Sequence, residues 1–263
     1  MRDALDRVLG GALRRALAPR STGTTYRSHT RRLTDGDAGV YTGIQLALGR
    51  RADDDLSAWA ESFLPVQLMR HIRDVHVDGP NGTTVPLVAA ERQVFEAQRP
   101  PEPAQPVSHV FAYLTGGLVI AGLLALFGRG AAAGRRGAGA AFGVVGGLWT
   151  LVTGLLGTAV LLAGTVTRHV FMGRNVNLAA YSPLAFLALA LLVASVGARR
   201  PESRRRWSAR AARMTGLIAL LSAIGLLVAL AIGQRSGEVL ALALPANVGL
   251  WWGCRQLASA RRA

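Results

Sequence analysis

The residues that could carry chemistry in this chain fall into two short polar stretches. The first contains Tyr26, Arg27 and His29, followed by two further arginines, in a segment 24–33 that we expect to be extended or a loop. Arginine guanidinium groups can bind lipid phosphate oxygens through paired N–H donors, and the tyrosine or histidine could line the pocket of a reactive group. The alternative is a basic strand face exposed to water.

The second stretch lies between two apolar runs and contains His169, Arg174, Asn175 and Asn177. One interpretation is that these side chains bind a lipid headgroup or brace a soluble domain against a membrane. The other is that they cap helix ends and form hydrogen bonds at the membrane–water boundary. The residue types alone leave both interpretations open.

Other patterns of catalytic and metal-binding residues are missing from the sequence. The histidines show neither zinc-protease spacing nor a local grouping with serine and aspartate, and there is no glycine-rich phosphate loop. Cys254 is the only cysteine, which excludes an internal disulfide and a cysteine-based metal site. The run Asp53-Asp54-Asp55 could bind a metal ion, but it is more typical of a helix start. We therefore expect no metal ion and no other cofactor.

Five apolar runs dominate the second part of the chain and must position the second polar stretch. They are residues 107–128, 140–166, 178–198, 214–233 and 239–254. Each of the first four has at least 20 residues without a charged side chain, enough to cross a hydrocarbon layer of roughly 30 Å. The fifth has only 16 residues and contains Pro245 and Asn247. We expect a membrane protein with five transmembrane helices.

The arginines around these runs indicate an orientation. Thirteen lie in the connections after the first and third runs and in the tail, whereas only Arg168, Arg174 and Arg235 lie in the other connections. Because positive residues near span ends stay in the cytoplasm, the C-terminus should be inside and residues 1–106 outside. The expected location is a bacterial cytoplasmic membrane.

The net charge of +15 has the same explanation. Residues 1–106 have 14 arginines and 13 acidic residues, net +1, whereas residues 107–263 have 16 arginines and two acidic residues, net +14. The excess belongs to the connections between spans, where it also favours contact with anionic lipid. We expect membrane lipids as partners and no nucleic acid.

Residues 1–97 are expected to form a small domain of helices and strands, joined by a proline-rich linker, 98–106, to the membrane domain 107–263. Apolar spacing predicts a helix over 3–17, weakened by the pair Gly10-Gly11, and another over 39–48 capped by Asp35 or Asp37. Pro65 suits the first turn of a helix ending near residue 73. Residues 75–77 and 83–88, around the turn 78–82, predict a β-hairpin.

Short motifs along nearly the whole chain resemble, in the same order, the bacterial Lnb-type lipoprotein N-acyl transferases. In the membrane part they are Thr167-Arg168-His169, Asn175-Val176-Asn177-Leu178 and Ser182-Pro183-Leu184. In the outer part they are Arg2-Asp3-Ala4-Leu5-Asp6, Thr25-Tyr26-Arg27, Leu48-Gly49-Arg50 with Ala52-Asp53, and Phe63-Leu64-Pro65. The resemblance implies a permuted papain-like thiol domain outside the membrane, followed by five spans.

The resemblance also implies an activity. Such enzymes move an acyl chain within or onto lipoproteins through a cysteine thioester, with a histidine that activates the thiol. The family's nucleophile lies just upstream of the Arg-Asp segment, which here directly follows Met1. We therefore expect the printed chain to be inactive, with no catalytic residue of its own, and predict a start codon placed too far downstream or a truncated gene. Upstream DNA without an in-frame Asn-Cys codon pair would rule out the first explanation.

Two other function classes compete with acyl transfer. A non-catalytic membrane scaffold would use residues 1–106 to dock a partner protein. A transporter is disfavoured because the first four runs contain no charged residue, and such residues usually mark ion or proton paths.

Overall fold

The structure, a computed structural model, describes residues 1–79, 82–96, 98 and 101–260, and it is mostly helical. Its residues form two compact units. The first contains Met1–Gly36 and Ala52–Pro106, and the second contains Asp37–Arg51 and Val107–Ala263. Residues 37–51, which we expected in the outer domain, therefore cluster with the apolar helices.

The first part of the chain alternates short helices and strands. Its elements are α1 (Arg2–Val8), α2 (Ala12–Leu17), β1 (Ser21–Thr25), α3 (Tyr26–Thr34), α4 (Ala38–Ala47), a 3-10 turn (Arg50–Asp53), β2 (Asp55–Ser57), α5 (Ala58–Glu61), α6 (Pro65–Arg73), β3 (His76–Asp78) and β4 (Thr84–Pro86). All of them except α4 and the start of the 3-10 turn belong to the first unit. Strand β1 pairs antiparallel with β2, and β3 pairs antiparallel with β4.

The first unit has a small apolar core. Its buried members, supplied by α2, α5, α6 and the residue before β3, are Leu13, Leu17, Ala58, Leu68 and Val75. The helices that supply them are amphipathic and too short to be stable alone, so this shared core stabilises them.

Local signals predicted several elements of this part correctly. Helix α4 begins after Asp37, whose carboxylate accepts from the backbone N–H of Val40, and α6 begins at Pro65. The predicted hairpin is confirmed as β3 and β4, although Pro80 and Asn81 of its turn lie outside the described residues. So do Arg99 and Pro100 of the predicted linker, and Ala97, the last residue of the predicted outer domain.

Two predictions for this part were wrong. The single helix over 3–17 is broken into α1 and α2, because Gly10 and Gly11 adopt φ of +59° and +79°, which a helix interior does not tolerate. The expected extended segment 24–33 is mostly helix α3. It starts with a capping box in which the side chains of Thr25 and Ser28 each bind the other residue's backbone N–H.

The second unit is a helical bundle. Besides α4 it contains α7 (Val110–Ala132), α8 (Ala138–Thr165), a 3-10 turn (Val176–Ala179), α9 (Leu184–Gly197), α10 (Pro201–Ile232) and α11 (Gly237–Ser259). Four segments are long and apolar enough to cross a membrane: Val110–Ala132, Ala138–Thr165, Val176–Gly197 and Pro201–Ile232. The fifth predicted run, 239–254, lies within α11, which is not among these four.

Helices α7 and α11 pack backbone to backbone and run parallel. A Cβ added at Gly117 of α7 would lie 2.5 Å from the carbonyl oxygen of Leu242, and one at Gly128 would lie 2.5 Å from the Cα of Gly253. Contacts therefore advance in the same direction along both helices. Small residues at such positions let membrane helices approach closely.

Asn247 of α11 explains the polar character of the fifth run. Its Oδ1 accepts from the indole Nε1 of Trp149 at 2.8 Å, and its Nδ2 donates to Ser222 Oγ at 2.9 Å and to the carbonyl of Ala180 at 3.1 Å. One buried amide thus joins four segments of the bundle. The side chain of Trp149 is itself buried inside the bundle.

Candidate functional site

Two asparagines of the second polar stretch cap the C-terminus of α4. Asn175 Nδ2 donates to the carbonyl oxygens of Leu46 at 2.7 Å and Ala47 at 3.1 Å. Asn177 Nδ2 donates to the carbonyls of Gln45 at 3.1 Å and Leu46 at 3.0 Å. The last carbonyls of a helix have no partner within it, so these amides satisfy groups that would otherwise be buried unpaired.

Gln234, which follows α10, completes this cap. Its Nε2 donates to Asn175 Oδ1 at 3.2 Å and to Ser236 Oγ at 2.7 Å, while its Oε1 accepts from the backbone N–H of Val176 at 3.3 Å. The same Asn175 Oδ1 accepts from the backbone N–H of Asn177 at 3.0 Å. The capping amides are therefore held in one orientation by the end of α10.

Close backbone packing positions Arg174 beside this cap. The N–H of Gly49 donates to the carbonyl of Phe171 at 2.7 Å, and a side chain at Gly49 would collide with the carbonyl of Gly173. Arg174 itself has φ of +50°, an uncommon conformation for a residue other than glycine. The loop thus turns sharply at Arg174 and leaves its side chain exposed.

An apolar recess of about 380 Å³ lies beside Arg174. Residues from the end of α8, from the loop after it and from the end of α10 line it, namely Leu161, Gly164, Thr165, Met172, Gly173, Arg174, Asn175, Val176, Leu178 and Ile232. The guanidinium of Arg174 forms no hydrogen bond or ion pair with any described residue. A recess of this kind suits a ligand with an apolar chain and a negatively charged end.

His169, the fourth residue predicted in this stretch, does not line the recess. It is exposed, and its ring lies 5.8 Å from that of Phe171, centroid to centroid. The structure therefore brings Arg174, Asn175 and Asn177 together and leaves His169 outside the group.

The other predicted residues, in α3 of the first unit, have separate partners. Arg27 is 1% exposed, and its Nε donates to both carboxylate oxygens of Asp53, at 2.9 and 3.1 Å. The alternative of a solvated strand face is wrong for this segment, because it is a helix with a buried guanidinium. The expected helix cap in the run 53–55 is also wrong, since Ser57 caps α5.

A second buried cluster surrounds Glu61. Its Oε1 accepts from Thr24 Oγ1 and from His29 Nε2, each at 2.8 Å, and its Oε2 accepts from His71 Nε2 at 2.7 Å. Burial of the carboxyl opposes its ionisation and is the largest single effect. The hydrogen bonds from Thr24, His71 and His29 together outweigh it, so the pKa of Glu61 lies below its ordinary value.

Arg32 contacts the second ring nitrogen of His29. Its Nη2 lies 3.3 Å from His29 Nδ1, while His29 Nε2 faces Glu61. Arg32 also donates to Glu102 Oε2 at 3.0 Å and to the carbonyl of Pro103 at 3.1 Å. This histidine orients Glu61, and its Nε2 also lies 3.2 Å from the hydroxyl oxygen of Thr24.

Tyr26 packs on Phe63, whose ring also lies 6.2 Å from that of His29, centroid to centroid. The Tyr26 ring lies 5.1 Å from that of Phe63, tilted by 41°. Tyr26, Arg27 and His29 are therefore neighbours on one helix, but they face an aromatic ring, a carboxylate and a histidine–glutamate cluster.

Sequence reasoning missed several of these functional neighbours. Asp53 lies 26 residues from its partner Arg27, Glu61 lies 32 residues from its partner His29, and His71 lies 10 residues from its partner Glu61. No local pattern links these pairs. The sequence offered one signal: charged residues are abundant in a segment whose apolar residues have helical spacing. This pattern predicts buried ion pairs but does not identify the partners.

Metal binding has no support in the described part of the chain, where no three histidine, cysteine or carboxylate side chains are arranged to hold an ion. Cys254 is buried in the bundle. Compared with protein-family models, with curated proteins and with solved structures, the chain matches none.

Proposed function

We propose that this protein is the membrane platform of an acyl-transfer protein of the bacterial cytoplasmic membrane. It would hold a lipid acyl chain at the non-cytoplasmic end of its helices for movement within or onto a lipoprotein. The observation that carries the proposal is the apolar recess beside Arg174, whose guanidinium has no protein partner among the described residues. Its lining and charge suit a phosphate-bearing or carboxyl-bearing lipid.

We propose that the chain crosses the membrane five times. Helix α11 has 23 residues and is about 34 Å long at 1.5 Å per residue. Its parallel packing on α7 is what first and fifth spans require, since four reversals return the chain to its first direction. Its lower apolar content is explained by Asn247, whose polar groups are all satisfied inside the bundle.

We also propose an orientation of the chain in the membrane. The recess lies at the ends of α8 and α10, where the connections carry few arginines, and the arginine-rich connections are at the other ends. By the positive-inside rule the recess opens on the outer side. Residues 1–36 and 52–106 would then belong to an extracytoplasmic thiol domain, as the resemblance implies.

Lipid binding tests the platform directly. Native mass spectrometry of the full chain, released from phospholipid nanodiscs, should show retained lipid that falls about tenfold in Arg174→Gln, since a charge-assisted contact is worth about 1.5–3 kcal/mol. The control is Arg168→Gln, which removes an exposed arginine from the same connection. Equal retention in both variants and the native chain would contradict the proposal.

Acyl transfer needs a second measurement. Cells that lack lipoprotein N-acylation would express either the printed chain or the chain extended through its upstream reading frame. Mass spectrometry of lipoprotein N-termini should then show N-acylation with the extended chain only. If neither changes the lipoproteins, the acyl-transfer proposal fails.

A non-catalytic scaffold is the second candidate, and one observation favours it. Buried ionisable groups of the first unit bond to one another, as Arg27 does to Asp53 and His29 to Glu61. Such satisfied clusters stabilise a docking domain. A protein partner recovered by cross-linking, with lipoprotein N-termini unchanged, would support this candidate.

A further inference from the structure

A second recess lies in the bundle, where the first half of α10 meets the second half of α11. It is shallow, about 430 Å³ in volume, and its lining residues are Ala212, Arg213, Gly216, Trp251 and Arg255. The proposed acyl-chain recess uses the other end of α10, at Ile232. The two recesses share no residue.

Two arginines in this recess are available to a ligand. Arg213 and Arg255 are exposed, and neither forms an ion pair with a carboxylate of the described chain. Arg255 lies over the ring of Trp251, with its Cζ 5.0 Å from the ring centroid. The cation–π contact holds this guanidinium at the recess without neutralising it.

Gly216 makes room for the indole that lies between them. A Cβ at this position would lie 2.9 Å from both Cδ1 and Nε1 of Trp251, which is closer than real side chains approach. Any other residue at 216 would therefore push the ring out of its place. The recess depends on this glycine.

An apolar strip continues from Arg213 along α10. Leu217, Leu220 and Ile224 follow at helical spacing on the same face, and all three are exposed on the bundle surface. A ligand with its charge at Arg213 could thus lay an apolar chain along these residues. This pattern fits a phospholipid and does not fit a free phosphate ion.

We propose that this recess binds one anionic phospholipid, with its phosphate between Arg213 and Arg255, its headgroup against Trp251 and an acyl chain along Leu217 and Leu220. Arginine guanidinium groups bind phosphate oxygens through two parallel N–H donors. Tryptophan is enriched at the depth of lipid headgroups, and anionic lipid is attracted to clustered arginine. The site is independent of acyl transfer.

Competitive lipid binding to the full chain tests this site. The chain in neutral detergent is titrated with phosphatidylglycerol and with phosphatidylcholine, and bound lipid is counted by native mass spectrometry. Phosphatidylglycerol should bind about thirtyfold more tightly, given about 1 kcal/mol for each of the two arginines near lipid phosphate. Arg213→Gln with Arg255→Gln should abolish this preference.

Two matched controls separate a built site from general charge. Arg205→Gln with Arg206→Gln removes the same charge from exposed positions of α10 outside the recess and should leave the preference within about twofold. Gly216→Ala should reduce it without changing charge, whereas Gly122→Ala, which places a methyl group in open space, should not. Equal losses in both arginine pairs, or no loss in Gly216→Ala with an unchanged melting temperature, would overturn the proposal. Displacement of phosphatidylglycerol by equimolar inorganic phosphate would overturn it as well.

Discussion

The two units bury polar groups of different kinds. In the first unit, most buried polar side chains are ionic or titratable, as in Arg27 with Asp53 and in Glu61 with its histidines. In the second unit, most are neutral amides and hydroxyls, such as Asn177, Asn247 and the pair Ser195 and Ser208. Glu238 is the exception, and it lies at the very start of α11, where it accepts from the Tyr41 hydroxyl at 2.6 Å and from the His109 backbone N–H at 2.8 Å.

The difference follows from the medium that surrounds each unit. A buried ion pair in a domain surrounded by water can be compensated when its partners stay in contact. Between apolar helices there is no water to satisfy a group whose partner moves, so a charge is far more expensive than an amide. Neutral amides also bind backbone carbonyls directly, which is how Asn175 and Asn177 hold α4.

The largest loss of stability is expected when a charge is removed from a buried ion pair of the first unit. Asp53→Asn keeps the shape but removes the carboxylate charge that pairs with the buried guanidinium of Arg27, which should cost about 3–5 kcal/mol of folding free energy. Thermal unfolding of the full chain in nanodiscs, with limited proteolysis to locate cleavage, should show residues 52–106 opening first. Asp55→Asn, a change at an exposed carboxylate two residues away, should leave the transition unchanged.

A smaller loss of stability is expected when a neutral buried amide of the second unit is removed. Asn247→Leu removes the hydrogen bonds of the amide to the indole N–H of Trp149 and to the carbonyl of Ala180, and should cost about 1–3 kcal/mol. Trp149 fluorescence, read in a variant without the other tryptophans, should shift as its hydrogen bond is lost. A cost as large as that of Asp53→Asn would contradict the contrast between charged and neutral burial.

Acid should weaken the first unit through Glu61. The pKa of this carboxyl is lower in the folded chain than the ordinary value of 4.5, so the folded chain binds fewer protons than the unfolded chain. The resulting stabilisation is complete at pH values above 4.5. It is then lost as the pH falls below 4.5 through the lower folded pKa. Unfolding midpoints between roughly pH 6 and pH 3 should fall less steeply in Glu61→Gln than in the native chain. The exposed control Glu96→Gln should keep the native slope.

The smallest effect is expected for a single hydroxyl pair between helices. Ser195 Oγ and Ser208 Oγ are 2.6 Å apart in the bundle. Ser195→Ala should cost only about 0.6 kcal/mol, the average for hydrogen bonds between membrane helices. Thermal unfolding in nanodiscs, compared with Ser203→Ala on the less buried part of α10, measures the difference. A loss above that of Asn247→Leu would reverse the predicted order.

Features with a local cause could be predicted from the chain. Charge-free runs of 20 residues or more predict the four helices able to cross a membrane, Asp37 predicts the start of α4, and Pro65 that of α6. The expectation for 24–33 failed because the capping box of Thr25 and Ser28 outweighed weak strand propensity.

The candidate site was predicted only in part, and for the same reason. The polar loop with Arg174, Asn175 and Asn177 stands out between two apolar runs, but its role as a cap for α4 requires a helix that lies about 130 residues earlier. No spacing within the loop reveals that partner. The recess beside it is formed by surfaces of α8 and α10 that meet only after folding.

Local patterns along the chain thus decide which segments are apolar helices and where charge gathers between them, because hydrophobic burial and helix capping act over a few residues. Tertiary structure alone decides that residues 37–51 join the bundle, that Arg27 meets Asp53, and that Gly216 admits Trp251. Each of these depends on shape and hydrogen-bond complementarity between groups far apart in sequence. Such complementarity has a value only when the backbone brings both partners together.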